Sequence, residues 1–135
     1  MNESQVPDIP GADAVVSWFG RWPSFHDAEV LTVQLSRRGT SWIKLHAWNT
    51  SDKTYERDDK QFYGQDKHAV ITFELDELVD LQLVDFGNQN VIQGLDIEHR
   101  GEVFRLTLTP CYGVGGYVET SRIRARVAPG KPEDE

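Results

Sequence analysis

Apolar residues fall into a helical spacing near the start of the chain and into alternation over most of its remaining length. Val15, Val16, Trp18, Phe19 and Trp22 recur at roughly the interval of an amphipathic helix. This predicts a helix from Gly11 to Trp22, with Asp13 as its N-cap and Gly20 and Pro23 ending it. Alternation begins at Glu29, where Leu31, Val33 and Leu35 share one face of a strand, and the Arg38-Gly39 pair then turns the chain. From Trp42 to Trp48, Ile43, Leu45 and Ala47 lie on one face. Trp42, Lys44, His46 and Trp48 lie on the other, so both faces carry bulk. Residues 49–67 are polar and broken by Gly64, which reads as a long loop, and such loops are often functional.

Beyond it, Ala69, Ile71, Phe73 and Leu75 mark a strand, and Leu81 to Phe86 marks another. Gly87-Asn88-Gln89-Asn90 is turn chemistry. The stretch GLDIEHRGEVFRLTL reads as a hairpin centred on Arg100-Gly101, which sets Leu95 against Leu106, Ile97 against Phe104 and Asp96 against Arg105. In a last strand, Tyr117 to Val127, Ile123, Ala125 and Val127 face one way and Arg122, Arg124 and Arg126 the other. Successive strands, short connections and one early helix imply a single α+β domain: an antiparallel β-meander, strongly curved or closed into a barrel, with the helix packed on it. Residues 1–10 read as a flexible lead-in, 11–128 as the domain and 129–135 as a disordered acidic tail.

Composition narrows the classes. A chain of 135 residues is one domain by size and can bury roughly two-thirds of its unfolded surface. One cysteine, Cys111, supports neither a disulfide framework nor a cysteine-rich zinc site. The first residues lack the apolar core of a secretory signal, and no apolar run approaches the roughly 20 residues of a membrane span, so a cytoplasmic protein is expected. The formal net charge of −8 argues against nucleic-acid and anionic-membrane partners and would favour a basic protein partner. The acids concentrate between Asp52 and Asp80, a stretch with net charge −5.

Candidate chemistry is sparse. His26 and Asp27 are adjacent, beside Trp22, Pro23, Ser24 and Phe25. A hydrolase would need the histidine oriented by a carboxylate and close to a nucleophile or metal. The competing reading is that both residues bond backbone groups and fix a helix-to-strand turn, as Asp commonly does. His26, His46, His68 and His99 lack metal-ligand spacing, so no metal or cofactor is expected. The run Tyr112-Gly113-Val114-Gly115-Gly116-Tyr117 lies between strands, where glycines serve a tight connection and not a phosphate cradle. The arginine stripe reads as a solvated face that protects an edge strand.

Three segments together resemble the immunity protein 50 family of bacterial polymorphic toxin systems. They are WFGRWPSFHDAEV after the helix, DFGNQNVIQGLDIEH in the middle and YGVGGYVETSRIRA near the end. Trp22, Pro23, Phe25, His26, Asp27 and Glu29 carry the first, Asn90, Gly94 and Leu95 the second, and Tyr112, Gly113, Gly115 and Gly116 the third. The resemblance implies a small α+β protein without enzyme activity that binds and neutralises a cognate toxin. On that reading an acidic surface would capture a basic toxin domain, such as a nuclease. The expected contact residues are Tyr55, Asp58, Asp59, Phe62, Tyr63, Asp66, Asp76 and Glu77, with Trp42 and Trp48 as further anchors or core. The alternatives are a small hydrolase using His26 and Asp27, and a ligand-binding β-sheet module.

Overall fold

The computed structural model describes residues 6–57 and 60–132, with side chains described throughout those spans except at 49–66. One helix, α1 (Ala12–Phe19), precedes six strands: β1 (Glu29–Gln34), β2 (Thr40–Arg57), β3 (Lys60–Val84), β4 (Val91–Arg100), β5 (Val103–Tyr112) and β6 (Gly115–Pro129). The strands are antiparallel and close into a barrel in the order β1-β2-β3-β6-β5-β4. The expected meander is thus present as two three-stranded meanders, β1-β2-β3 and β4-β5-β6, joined where β3 pairs with β6 and where β1 meets β4 at Glu29 and Val91.

The long strands β3 and β6 make this possible. The middle of β3 pairs with β2 on one side and with the end of β6 on the other, from Ala69↔Pro129 to Asp76↔Arg122. Its last part, from Leu78 to Val84, pairs with the start of β6, which in turn pairs with β5. Where these two parts meet sits a bulge at Leu78/Asp80, preceded by Glu77 with φ 61°. A bulge bends its strand and sharpens the twist. Here the bend carries one pair of strands from one half of the barrel to the other. Buried Thr120 fastens it, with its hydroxyl 2.6 Å from the Asp76 carbonyl and 3.2 Å from that of Arg122. The β1–β2 turn is tied to the same place, since Glu77 N–H donates to Gly39 O and Gly39 N–H donates to Glu77 Oε2.

The core follows the alternation. Ile43, Leu45, Ile71, Phe73, Leu75, Ile92, Leu106, Leu108 and Ile123 are all buried inward-facing residues. Val15, Phe19, Trp22 and Phe25 join them from the N-terminal segment. Trp22 meets Phe25 edge-on at 5.6 Å between ring centroids, and both lean on Phe73. Helix α1 packs on β6 and β3, and Ala125 N–H donates to Pro10 O where β6 has no strand on that side.

Several expectations change. The helix is shorter than expected and Gly11, not Asp13, occupies its N-cap; Asp13 lies in the first turn and accepts from Ala14 N–H. The segments expected as two strands, 69–75 and 81–86, belong to one strand, which ends at Val84 and passes through a bulge between Leu78 and Asp80. Residues 49–67 are not a loop: β2 and β3 continue as a two-stranded ribbon from Asn49↔Asp66 to Arg57↔Lys60. Neither β1 nor β6 pairs with that ribbon, since their ladders stop at His46 and Ala69. The β4–β5 hairpin turns at Gly101-Glu102, so Leu95 faces Leu108, Ile97 faces Leu106, and Glu98 instead of Asp96 opposes Arg105. This slip of two residues keeps every apolar side chain on its expected face, which a slip of one would not. Lastly, the arginines of β6 lie beside β3 in the sheet and do not guard an edge.

Candidate partner-binding face

The registers of β2, β3 and β6 set their outward residues in rows. Thr40, Asp76 and Arg122 form one row, Trp42, Glu74 and Arg124 the next, Lys44, Thr72 and Arg126 the third, and His46, Val70 and Ala128 the fourth. Two carboxylates two residues apart on β3 therefore lie against three arginines two residues apart on β6. Arg124 Nε donates to Glu74 Oε1 at 2.6 Å and its Nη1 to Asp76 Oδ2 at 3.0 Å. Arg126 Nη1 donates to Glu74 Oε2 at 2.8 Å, and Arg122 Nε stands 3.8 Å from Asp76. Thr40 Oγ1 donates to the other Asp76 oxygen.

These contacts set the charge states. The hydrogen bond from Arg126, then that from Arg124, holds the Glu74 carboxyl below its ordinary value. Asp76 is lowered first by the Thr40 hydroxyl and next by the charge of Arg124. Arg124 is raised, chiefly by its bond to Glu74. The carboxylates are largely covered, at 15% and 13% exposed, whereas Arg122 and Arg126 are 76% and 72% exposed. Beside them a surface cleft of about 460 Å³ is lined by Trp42, Lys44, Thr72, Glu74 and Arg126 among others. In the fourth row His46 Nε2 lies 3.0 Å from His68 Nδ1, and Trp48 packs against both rings.

The expected contact residues fall in several places. Asp58 and Asp59 lie outside the described residues. Tyr55, Phe62, Tyr63 and Asp66 are on the ribbon, where Tyr55 pairs with Phe62 and Thr54 with Tyr63; their side chains are outside the description. Asp76 is enclosed in the arginine network, and Glu77 is exposed at the bend. Trp42 lines the cleft and Trp48 flanks the histidine pair.

The three segments singled out in the sequence meet at another place, the seam between β1 and β4. Asp27 N–H donates to Ile92 O, Ile92 N–H to Ala28 O and Val30 N–H to Asn90 O. The buried Asn90 side chain accepts from Gly87 N–H at 2.9 Å and from Val114 N–H at 3.1 Å, and donates to Gly87 O at 2.9 Å. It thus ties the turn before β4 to the glycine-rich connection after β5. The glycines there serve close approach, as expected: a Cβ on Gly116, whose φ is 128°, would overlap the Gln82 carbonyl. Trp22, Pro23 and Phe25 are buried at this joint and Glu29 is partly buried.

His26 and Asp27 are not part of that packing. Their side chains are 67% and 58% exposed and approach each other at 3.3 Å, Nδ1 to Oδ2. The joint is pinned by the backbone bonds of Asp27 and Ala28 and by the aromatic rings, not by bonds from these two side chains to the backbone. Ser24 Oγ accepts from the backbone N–H of His26, and among the described residues its hydroxyl makes no hydrogen bond to the imidazole. Among the described residues, no cluster of three or more His, Cys, Asp or Glu side chains could hold a metal ion, and no helix is long and apolar enough to cross a membrane.

The family model of immunity protein 50 matches residues 11–125, from the N-cap of α1 into β6. The chain belongs to the immunity protein 50 family. The matched span contains the whole barrel seam and most of the arginine stripe. No curated protein and no solved structure matches the chain. Within this immunity-family fold, the β3–β6 charge network is what the sequence reading missed. Its signal is present in the spacing: acids at 74 and 76 against bases at 122, 124 and 126 mark two strands as neighbours by cross-strand complementarity.

Proposed function

We propose that this chain is an immunity protein that neutralises a cognate toxin by binding it directly and without catalysis. The observation that carries this reading is membership of the immunity protein 50 family over residues 11–125. Its action requires a folded surface and no cofactor. The net charge of −8 supports attraction of a basic toxin domain, a nuclease being one such class, and would speed capture at low salt. The β2–β3 ribbon reaches past the ladders of β1 and β6 and carries part of the acid-rich stretch, which suits it to first contact through Tyr55, Asp58, Asp59, Phe62, Tyr63 and Asp66. The protein acts in the cytoplasm on this reading, where the toxin would do damage. A hydrolase built on His26 and Asp27 draws no support from the geometry, because the pair is solvated and Ser24 makes no hydrogen bond to the imidazole.

The test is co-expression with the toxin domain encoded beside this gene. Rescue of growth and a stable complex on size-exclusion chromatography are expected. Absence of both, for every adjacent toxin, would overturn the reading.

A further inference from the structure

We infer that the outer face of β2, β3 and β6 is a second, basic contact surface, which receives an acidic segment of the toxin protein; this rests on the immunity reading above. The charge balance on this face opposes that of the chain. Lys44, Arg122, Arg124 and Arg126 meet only Glu74 and Asp76 among the described outward residues of these rows, leaving +2 within a chain of −8. The exposures sharpen the contrast. The two carboxylates lie underneath and the guanidiniums of Arg122 and Arg126 lie on top, so an approaching surface meets cations.

The network also organises those cations. Glu74 accepts one Nη1–H of Arg126, which leaves the remaining N–H groups of that largely exposed guanidinium open to a partner. Arginine presents five donors in a rigid fork that matches a carboxylate, and a pre-positioned fork loses less entropy when it binds one. Lys44 stands in the same row, across Thr72 from Arg126. Between these cations the cleft, with half-buried Trp42 in its wall, can take an apolar side chain beside the carboxylates. A protein segment suits this better than nucleic acid, because a phosphate chain running past the cleft would meet the acidic remainder of the molecule. The ribbon and this face then make a two-signed surface, with the acid-rich arm rising from the same strands as the basic face. Opposed patches of this kind fix the orientation of a partner and reject others.

The experiment is isothermal titration of the adjacent toxin domain into wild type, Lys44→Glu/Arg122→Glu, Arg126→Gln and, as a control on β4, Glu98→Lys. Thermal melts are taken on each. Weakening on the order of tenfold or more in the double variant, with Glu98→Lys unchanged, is expected. If wild type binds and the double variant binds as tightly, the basic face is overturned and the immunity reading stands. If wild type binds no toxin, both fall. Should the double variant melt early, Arg126→Gln reads the same point: binding several-fold weaker supports the face, and unchanged binding overturns it. Retention of a single-stranded oligonucleotide by wild type at low salt, lost in the double variant, would overturn the choice of a protein segment.

Discussion

Arg124 donates to Glu74 at 2.6 Å from the strand that sequence order places last to the strand it places third. This one bond belongs to three levels of the molecule. It reports the β3–β6 adjacency that closes the barrel, it neutralises a partly buried carboxylate, and with the Arg126 bond it leaves guanidiniums outermost on the face. Surface ion pairs taken singly contribute little, but a network with covered carboxylates is screened less.

Acid should weaken the fold through this network. The folded-state values of Glu74 and Asp76 are lowered by their arginine and threonine partners, so their contribution is complete above the ordinary carboxylate range and is lost as pH falls through the lowered values. Wild type should therefore lose melting temperature as pH falls through and below the ordinary carboxylate range of about 4 to 4.5. Glu74→Gln should start lower, by about 1 kcal/mol at neutral pH, and show a flatter acid limb. Melts recorded across that range by circular dichroism check both features; parallel curves for the two proteins would contradict the assignment.

Asn90 should be among the most costly polar residues to remove. It is buried, and its amide makes three hydrogen bonds that join the turn before β4 to the connection after β5. Asn90→Ala leaves two N–H groups and a carbonyl without that partner, and a loss of about 2 to 4 kcal/mol is expected. Asn90→Asp keeps an acceptor for Gly87 and Val114 but loses the donor to Gly87 O, so it should fall between wild type and alanine. Urea denaturation at fixed pH measures the order.

Two glycines of the resembling segments should separate by role. Gly116 has φ 128° and its missing Cβ leaves room for the Gln82 carbonyl, so Gly116→Ala should cost roughly 3 kcal/mol or more. Gly94 has open space around its Cβ position and no left-handed φ, so Gly94→Ala should fold with stability within about 0.5 kcal/mol of wild type. Chemical denaturation of the pair tests whether glycine is needed at each place for the fold. Equal losses would contradict the contrast.

What the sequence shows of this fold depends on what the physics writes locally. Face assignment is legible where alternation is unbroken, since Ile43, Leu45, Ile71, Phe73, Ile123 and Ala125 are all buried as their spacing predicts. In β1 a bulge after Val30 makes Val30 the buried residue, and Leu35 lies exposed beyond the strand. Register is less legible, because both Arg100-Gly101 and Gly101-Glu102 can centre a turn and both preserve the faces. The apolar alternation is broken at 76–80, so the sequence reads as two strands, yet the chain bends through a bulge and continues. The ribbon at 49–66 has no apolar alternation in its sequence, so its polar run looks like a loop. The arginine face is the least visible part, since its meaning depends on which strand lies beside it.

The first segment supplies the final test, because its most reactive-looking residues are not the ones that hold it. His26 and Asp27 are exposed and touch each other, whereas Trp22, Phe25 and Ala28 are buried, and the backbone of Asp27 and Ala28 is bonded to Ile92. Removing an exposed side chain costs little, so His26→Ala should change stability by no more than about 0.5 kcal/mol. Asp27 has φ 69°, a conformation that Asp tolerates better than Ala, so Asp27→Ala should cost about 1 kcal/mol. Trp22→Ala and Phe25→Ala should cost about 3 to 5 kcal/mol, since each opens a cavity against Phe73. The comparison also isolates function at this joint. If His26→Ala folds like wild type and still rescues cells from the adjacent toxin, the segment acts through packing alone. If it folds like wild type and rescue is lost, the exposed pair belongs to the toxin-contact surface, and the basic face of β2, β3 and β6 is not the whole of it.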